Sequence, residues 1–147
     1  VYALAERNIP VVVHIILGLP GESRETVLRT IDYLNRLPVQ GVKLQLLHVL
    51  SDSDLADLYR AGEYTPLEKE EYLTLVGDCI AHLRADIVLH RLTGDGDKNT
   101  LLAPLWSLRK RDVLNRLHRY LKENHIRQGM SCKIDRSVIY NKPKDVL

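Results

Sequence analysis

The segment VVVHIILGLPGES, residues 11–23, joins a nearly continuous apolar run to a turn that contains Gly18, Pro20 and Gly21. Such a run predicts a parallel strand covered on both faces, because a strand with one face in water alternates apolar and polar side chains. The two glycines permit a sharp turn where a side chain would collide. Since ligands bind beyond the carboxyl ends of strands in parallel α/β sheets and barrels, the loop after Leu17 is expected to face the functional site.

Composition limits the class of protein. The chain has 147 residues, 45% of them hydrophobic, which suffices for one domain with its own core. Cys79 and Cys132 are far apart in the sequence, which predicts a reducing compartment and no disulfide framework. No apolar stretch approaches the roughly 20 residues that span a bilayer, so a cytoplasmic location is predicted. The opening VYALAERNIP has the pattern of a helix end, which predicts that a preceding βα unit is missing and that the chain is a fragment.

Strand and helix patterns alternate along the chain. Strands are predicted at 11–17, 41–50 and 87–92, and helices at 23–38 with Ser23 as N-cap, 51–63, 66–84, and 107–125 with Ser107 as N-cap. Three βα units with right-handed parallel connections predict an α/β fold, a partial (β/α) barrel of about half the eight-unit kind. We assign this barrel to residues 1–125 and a basic extension to residues 126–147. The open sheet edge of a half barrel allows self-association.

Charge is distributed unevenly. Residues 1–106 carry 10 Lys or Arg and 15 Asp or Glu, a net charge of −5, whereas residues 107–147 carry 11 and 4, a net charge of +7. Most cations of the predicted last helix lie off its apolar face, where they could meet phosphates or simply remain solvated. They are Arg109, Lys110, Arg111, Arg116, Arg119 and Lys122.

Three motifs follow one another in the order HIILGLPGES, KLQLLHVL and HRLTGDGDKNTLLAPLWS. Together they resemble the carboxyl half of the radical S-adenosylmethionine (SAM) domain, in particular its YhcC-like branch, which is related to the Elongator catalytic subunit. GLPGE alone occurs in several α/β families, whereas all three motifs in this order indicate one branch. By motif order the resemblance covers roughly residues 1–128.

The resemblance implies a cofactor chemistry for the intact parent protein. Radical SAM enzymes hold a [4Fe-4S] cluster on three cysteines of a CxxxCxxC loop, and reductive cleavage of bound SAM yields methionine and a 5′-deoxyadenosyl radical. This chain has no CxxxCxxC motif. Because Cys79 and Cys132 cannot supply three neighbouring thiolates, the chain alone is expected to be inactive even if the parent is an enzyme.

The resemblance also implies which residues border the cofactor. Related enzymes carry a GxIxG pattern on the strand before the glycine turn; Ile16 and Gly18 match it, and His14 replaces its first glycine. Ile16 would pack on the adenine, and Gly18 would let the backbone approach the ligand. On the next strand residues 47–49 resemble the segment whose backbone borders the adenine. The implied cofactor-binding set is therefore His14, Ile16, Gly18, Leu47 and His48.

Two alternatives remain open at the level of sequence. His14, His48 and His90 lie near the ends of three successive predicted strands and could bind a divalent metal in a barrel hydrolase. The other alternative is a noncatalytic module that binds RNA or tRNA through the basic C-terminal helix. Asp95 and Asp97 either contact a ligand or cap turns, and turn capping is favoured.

Overall fold

The computed structural model describes residues 1–94 and 96–134. Its strands are β1 (Val12–Leu17), β2 (Gly41–Leu46), β3 (Val49–Leu50), β4 (Val88–Arg91) and β5 (Leu101–Ala103). Its helices are α1 (Tyr2–Ala5), α2 (Arg24–Leu34), α3 (Asp54–Arg60), α4 (Lys69–His82) and α5 (Lys110–Glu123), with a 3-10 turn at Leu105–Leu108. None of these helices combines the length and apolar character that a membrane span requires.

A parallel three-stranded sheet forms the centre of the fold. Its spatial order is β1, β2, β4, and the connections run through α2 and α4, which confirms the α/β class and the parallel strands. The core lies between the sheet and the helices. Its fully buried members include Leu17, Ile31, Leu44, Tyr72 and Val76.

Only one face of the sheet is covered within the described chain, contrary to the expectation of a strand covered on both faces. Ile15 and Leu17 of β1 are buried, whereas Ile16 between them is 43% exposed. Alternation along each strand places Val12, His14 and Ile16 of β1 beside Gly41, Lys43 and Gln45 of β2. We call this surface the open face.

The second predicted strand ends four residues early. β2 stops at Leu46, and Leu47 donates its N–H to the carbonyl oxygen of Leu17 at 2.9 Å before the chain changes direction. β3 then pairs with β5 in an antiparallel two-stranded sheet that the sequence did not predict. A small second core, built from Val49, Ala56, Tyr64 and Ala103, stabilises this unit.

Of the two predicted N-caps, Ser23 is confirmed and Ser107 is wrong. The Ser23 hydroxyl accepts a hydrogen bond from the Thr26 N–H at 3.2 Å, which confirms it as the N-cap of α2. Ser107 is not an N-cap. It lies in the 3-10 turn, where its hydroxyl donates to the carbonyl oxygen of Pro104 at 2.8 Å, and α5 begins only at Lys110.

Residues 126–134 pack against the carboxyl end of α4. The N–H groups of Gly129 and Ser131 donate to the carbonyl oxygens of Ile80 and Ala81, and the Gln128 amide donates to the carbonyl oxygen of Ile87 at 2.7 Å. Residues 135–147 of the predicted extension lie outside the described residues. The boundary at residue 125 between the barrel and the basic extension therefore stays a prediction.

A buried polar network joins the same end of α4 to the end of α2. Asn35 is fully buried; its Oδ1 accepts from the Arg84 N–H at 2.8 Å, and its Nδ2 donates to the His82 carbonyl oxygen at 2.8 Å. The Arg84 guanidinium bonds Asp86 at 2.6 Å and the carbonyl oxygen of Asn35. Each polar group here has a partner, as burial requires.

Replacing Asn35 with Ala is expected to lower the free energy of unfolding by about 2–4 kcal/mol, because it strands the Arg84 N–H and the His82 carbonyl in the interior. Urea unfolding followed by circular dichroism measures the change. Asn115→Ala on the exposed side of α5 is the control and should shift stability by less than about 0.5 kcal/mol. Equal effects of the two substitutions would contradict this account of the network.

Candidate functional site

The turn after β1 is held from two sides. Gly18 has a φ of +90°, a conformation that favours glycine. Its N–H donates to Oε2 of Glu22 at 3.0 Å, and its carbonyl oxygen accepts a hydrogen bond from the Tyr64 hydroxyl at 2.7 Å. The turn is thereby tied both to the start of α2 and to the segment that follows α3.

A side chain covers Gly18 as well. A Cβ atom at this position would lie 3.1 Å from Leu67, which fills the space above the backbone. Gly21, with a φ of +71°, has nothing within 4 Å of the corresponding position. The sequence-based prediction explained Gly18 by ligand approach, but its backbone conformation and Leu67 already require glycine there.

The open face places an apolar side chain beside an amide at the carboxyl ends of the strands. Ile16 lies opposite Gln45 in the register of β1 and β2, and His14 lies opposite Lys43 one step nearer the amino ends. Within residues 1–94 and 96–134 the Gln45 amide makes no hydrogen bond. A ligand over Ile16 would therefore meet an apolar surface flanked by a hydrogen-bonding group.

Leu47 and His48 follow the end of β2 but face different surroundings. Leu47 packs against the second core. The His48 ring lies against the loop after β4: a Cβ at Gly94 would be 2.8 Å from its Cε1, and one at Gly96 would be 3.4 Å away. These two glycines therefore make room for the imidazole.

The three histidines do not assemble into a metal site. The His90 ring occupies the space over Gly41, the first residue of β2, whereas His48 lies beyond the last residue of that strand. In the described part of the chain, no group of three His, Cys, Asp or Glu side chains could hold a metal ion. His14, His48 and His90 therefore do not form the metal site that the hydrolase alternative needs, because the imidazoles lie at different depths along the sheet.

Asp97 acts as a turn residue. Its Oδ1 accepts from the Asn99 N–H at 3.0 Å, and its carbonyl oxygen accepts from the Leu101 N–H at 2.9 Å. This confirms the favoured interpretation for Asp97. Asp95 lies outside the described residues.

Neither cysteine fits an iron–sulfur cluster. Burial in α4 raises the pKa of the Cys79 thiol to about 12, with nearby Asp78 adding to the effect. Cys132 is partly exposed and accepts a hydrogen bond from the Asn35 amide at 3.6 Å. Two separate thiols, one of them in the core, cannot replace the three neighbouring thiolates of a [4Fe-4S] site.

Aromatic side chains that the sequence did not single out as site residues brace the carboxyl edge. The Tyr72 hydroxyl donates to the Leu92 carbonyl oxygen at 3.0 Å, just beyond β4. Trp106, predicted to be a packing residue, lies with its ring centre 5.6 Å from that of Tyr72 and donates its Nε1–H to the Leu67 carbonyl oxygen at 3.2 Å. Burial raises the pKa values of Tyr64 and Tyr72, so both hydroxyls stay protonated donors at neutral pH. The sequence marks these residues only as aromatic. It does not predict their hydrogen bonds, because the carbonyl partners are distant in sequence.

A groove of about 460 Å³ lies between α2 and α4, with Gly18 at its edge. Its floor includes Val27 and Leu75. Its rim is acidic, but the carboxylates are engaged: Asp78 pairs with Arg24 at 2.6 Å, and Glu70 pairs with Arg116 at 3.0 Å. Arginines therefore compensate two of the four rim carboxylates, and the other two, Glu22 and Glu71, accept backbone hydrogen bonds.

Comparison with known proteins identifies relatives of the chain. The sequence profile described as the Radical_SAM C-terminal domain matches residues 39–123. YtqA of Bacillus subtilis is 34% identical over 126 residues, which cover 86% of this chain and 39% of YtqA. YhcC of Escherichia coli K12 is 34% identical over 121 residues, which cover 82% of this chain and 39% of YhcC. The chain thus spans about two fifths of these relatives' length.

A solved structure shares the fold. The archaeal Methanocaldococcus infernus Elp3, with an N-terminal deletion, superposes with a TM-score of 0.71 over 85% of this chain and 29% of its own. The sequences are 17% identical over this match, so the comparison concerns fold alone.

Gly18→Ala is expected to destabilise the protein by about 2–4 kcal/mol, because it adds both left-handed backbone strain and a collision with Leu67. Gly21→Ala is the matched control and should cost about 1 kcal/mol, since only the strain applies. Urea unfolding measures both. In a Leu67→Ala background the difference between the two glycine substitutions should shrink; an unchanged difference would exclude the Leu67 contact as its cause.

Cys132 is expected to react with iodoacetamide at pH 8 well before Cys79. The raised pKa keeps the buried Cys79 thiol neutral, and the thiolate is the reactive form. Mass spectrometry of the native protein over time separates the two sites. Cys132→Ser should remove the early modification, and early modification in that variant would contradict the assigned burial of Cys79.

Proposed function

Since the chain belongs to the Radical_SAM C-terminal domain family, we propose that it forms the carboxyl half of a radical SAM barrel and lines the adenosine side of the SAM pocket. The observation that carries this proposal is the open face, where exposed Ile16 adjoins Gln45 at the carboxyl ends of parallel strands. An adenine ring needs flat apolar contact and polar groups at its edge, and this pair offers both.

The partial barrel is supported by the same face. A closed barrel turns one face of its sheet inward and covers the other with helices. Here α2 and α4 cover one face, while the other presents Lys43 and Gln45 among apolar neighbours. Such a mixed polar surface suits a ligand-bearing interior better than contact with a second helical layer.

The proposed roles of the five sequence-derived residues differ. Ile16 packs on the adenine. Gly18 ends β1 in a left-handed turn, and this turn fixes the position of Ile16. The Leu47 backbone borders the ring, and His14 lies deeper on the open face. The His48 ring is enclosed by the following loop, so its contribution is through the backbone or by holding that loop.

The iron–sulfur cluster does not fit this chain, so we propose that its thiolates come from another part of the complete protein. When bound there, the cluster would supply the electron that cleaves SAM to methionine and a 5′-deoxyadenosyl radical. This chain's own residues bind and orient the nucleoside, and the chain alone is inactive. A cytoplasmic location and self-association through a sheet edge stay predictions.

A test uses the complete protein, reconstituted anaerobically with iron and sulfide. Addition of dithionite and SAM is expected to release 5′-deoxyadenosine. Ile16→Ala should raise the Kd for SAM about tenfold, because it removes apolar contact with the ring. Ile9→Ala is the matched control, since Ile9 is 45% exposed but precedes β1 at the opposite edge.

Calorimetric titration and chromatography of the products provide the readouts. Absence of SAM cleavage by the reconstituted wild type would overturn the enzymatic proposal. Equal SAM affinity in the Ile16 and Ile9 variants would overturn the proposed pocket while leaving the enzyme class intact.

The RNA-binding alternative also has an observation in its favour, the cationic outer side of α5. It concerns a different element from the strand that carries Ile16 and is compatible with a cofactor pocket.

A further inference from the structure

The three parallel strands carry basic side chains and no acidic ones. β1 contributes His14, β2 contributes Lys43, and β4 contributes His90 and Arg91, whereas none of the three strands contains Asp or Glu. Opposite charges on neighbouring strands stabilise a sheet, and like charges directly opposite each other destabilise it. The distribution of charge in this sheet therefore does not favour its stability, and such local conflicts are expected at functional sites.

Basic residues of all three strands stand at one level of the open face. His14 lies opposite Lys43 in the register of β1 and β2, and Lys43 lies opposite Arg91 in the register of β2 and β4. Because neighbouring strands are about 4.8 Å apart, the three positions span about 10 Å. We call His14, Lys43, His90 and Arg91 the basic row. An anion lying over this row would relieve the repulsion between its members.

An irregularity in β4 places two consecutive basic residues on the open face. The register shifts within the pairing of β2 and β4, so that Arg91, and not His90, lies opposite Lys43. Leu89 and Leu92 both pack against the core although they are three residues apart. In a regular strand, residues three apart point to opposite faces. The extra residue of the bulge resolves this, because it lets His90 and Arg91 share the open side.

A glycine on the neighbouring strand accommodates the His90 ring. The imidazole lies over Gly41, where a β-carbon would collide with its Nε2 and Cδ2. The φ of Gly41 lies outside the left-handed region, so its backbone conformation alone does not require glycine. Glycine weakens a strand and often marks a place where another group approaches closely. At Gly41 that group is the imidazole, which is thereby held on the open face.

The donors of the basic row face open space. Within residues 1–94 and 96–134, the side chains of Lys43, His14 and His90 form no ion pair and no hydrogen bond. Lys43 is half-buried, and the two histidines are exposed. Arg91 has an interaction of its own, so the argument rests on the other three residues. An ammonium group and imidazole N–H groups are hydrogen-bond donors, which suits an acceptor with several oxygens.

The basic row is separate from the proposed adenine contact. Ile16 and Gln45 are two residues further along β1 and β2 than His14 and Lys43, about 7 Å nearer the carboxyl ends. An adenine over Ile16 therefore does not cover Lys43. The row provides a second subsite on the same face, deeper in the proposed barrel.

A phosphate group fits the basic row better than a carboxylate does. A phosphate ester carries close to two negative charges and three acceptor oxygens. A carboxylate has one charge and two oxygens. Donors on three different strands, spread over about 10 Å, can approach a tetrahedral group from several sides. The number and spread of the donors therefore favour phosphate.

We propose that Lys43, His14 and His90 bind a phosphate group of the substrate on the open face. Lys43 provides the central charge, and the two imidazoles donate from the neighbouring strands. That the anion is part of a substrate rests on the proposed function, whereas phosphate binding by the row does not. Bound in this way, the substrate extends from the row toward the carboxyl ends of the strands, where the proposed nucleoside lies.

The test is calorimetric titration of inorganic phosphate into the complete protein, in chloride buffer of constant ionic strength. Lys43→Gln removes the central charge, and Lys43→Arg keeps it. Lys122→Gln is the matched control, because Lys122 is exposed on α5 and its loss changes the net charge equally. Circular dichroism checks folding, and His14→Gln/His90→Gln replaces Lys43→Gln if the latter unfolds.

We expect Lys43→Gln to raise the Kd for phosphate at least about tenfold, the effect of losing one charge-assisted hydrogen bond. Lys43→Arg should stay within about threefold of the wild type, because the guanidinium also binds phosphate oxygens. Lys122→Gln should bind phosphate as the wild type does. Acetate, titrated in the same way, should bind more weakly than phosphate.

SAM binding separates this inference from the proposed pocket. Lys43→Gln should leave the Kd for SAM unchanged, and Ile16→Ala should leave the Kd for phosphate unchanged. If Ile16→Ala does not alter SAM affinity while Lys43→Gln weakens phosphate binding, the proposed pocket fails and the phosphate site stands.

Four results would overturn the inference. A wild-type protein that does not bind phosphate, or a Lys43→Gln variant that binds it equally well, would exclude the site. Equal losses in Lys43→Gln and Lys122→Gln would indicate an effect of net charge. Tighter binding of acetate would exclude phosphate as the preferred anion. A loss of SAM affinity in Lys43→Gln would assign the lysine to the cofactor and not to a substrate.

Discussion

The structure depends on the left-handed turn at Gly18, where three segments meet. The amide bonds forward to Glu22 at the start of α2, the carbonyl oxygen receives the Tyr64 hydroxyl, and Leu67 covers the space that a side chain would need. Because these contacts come from both sides of β2 in sequence, the small β3–β5 unit and the parallel sheet are fixed to each other here. The end of β1, and with it Ile16, takes its position from this junction.

The open face distinguishes the two sides of the sheet. A sheet with helices on one side only leaves its second side to water or to another structure, and a mixture of Ile16, Lys43 and Gln45 suits neither a tight apolar core nor an ordinary solvated surface. In the proposed barrel this face would turn inward. Helices α2 and α4 cover the other side of the sheet, and α5 packs against α4.

Local sequence patterns predicted the parts of the fold that local forces determine. The three parallel strands, the Ser23 cap and the turn at Asp97 follow from hydrophobic runs and short-range hydrogen bonds. The β3–β5 pairing did not, because Val49 and Ala103 meet only after the chain closes a long loop. The exposure of Ile16 differs from the prediction because every residue of the run in β1 except His14 is apolar, so the sequence does not mark which side chains face the core, whereas KLQL in β2 alternates polar and apolar residues. The bracing hydroxyls of Tyr64 and Tyr72 depend on carbonyl groups that no sequence pattern marks.

The His48 ring, seated against Gly94, links the evolution of two positions. With the imidazole in place, a β-carbon at position 94 would lie 2.8 Å from its Cε1, so the ring or the loop must shift to admit one. A relative that carries a small side chain at position 48 loses this contact and can accept alanine at position 94, so these two positions should change together across the family. Position 96 is different, because a β-carbon there would also lie 3.2 Å from the Leu101 side chain, and Gly18 keeps its left-handed backbone angle whatever surrounds it.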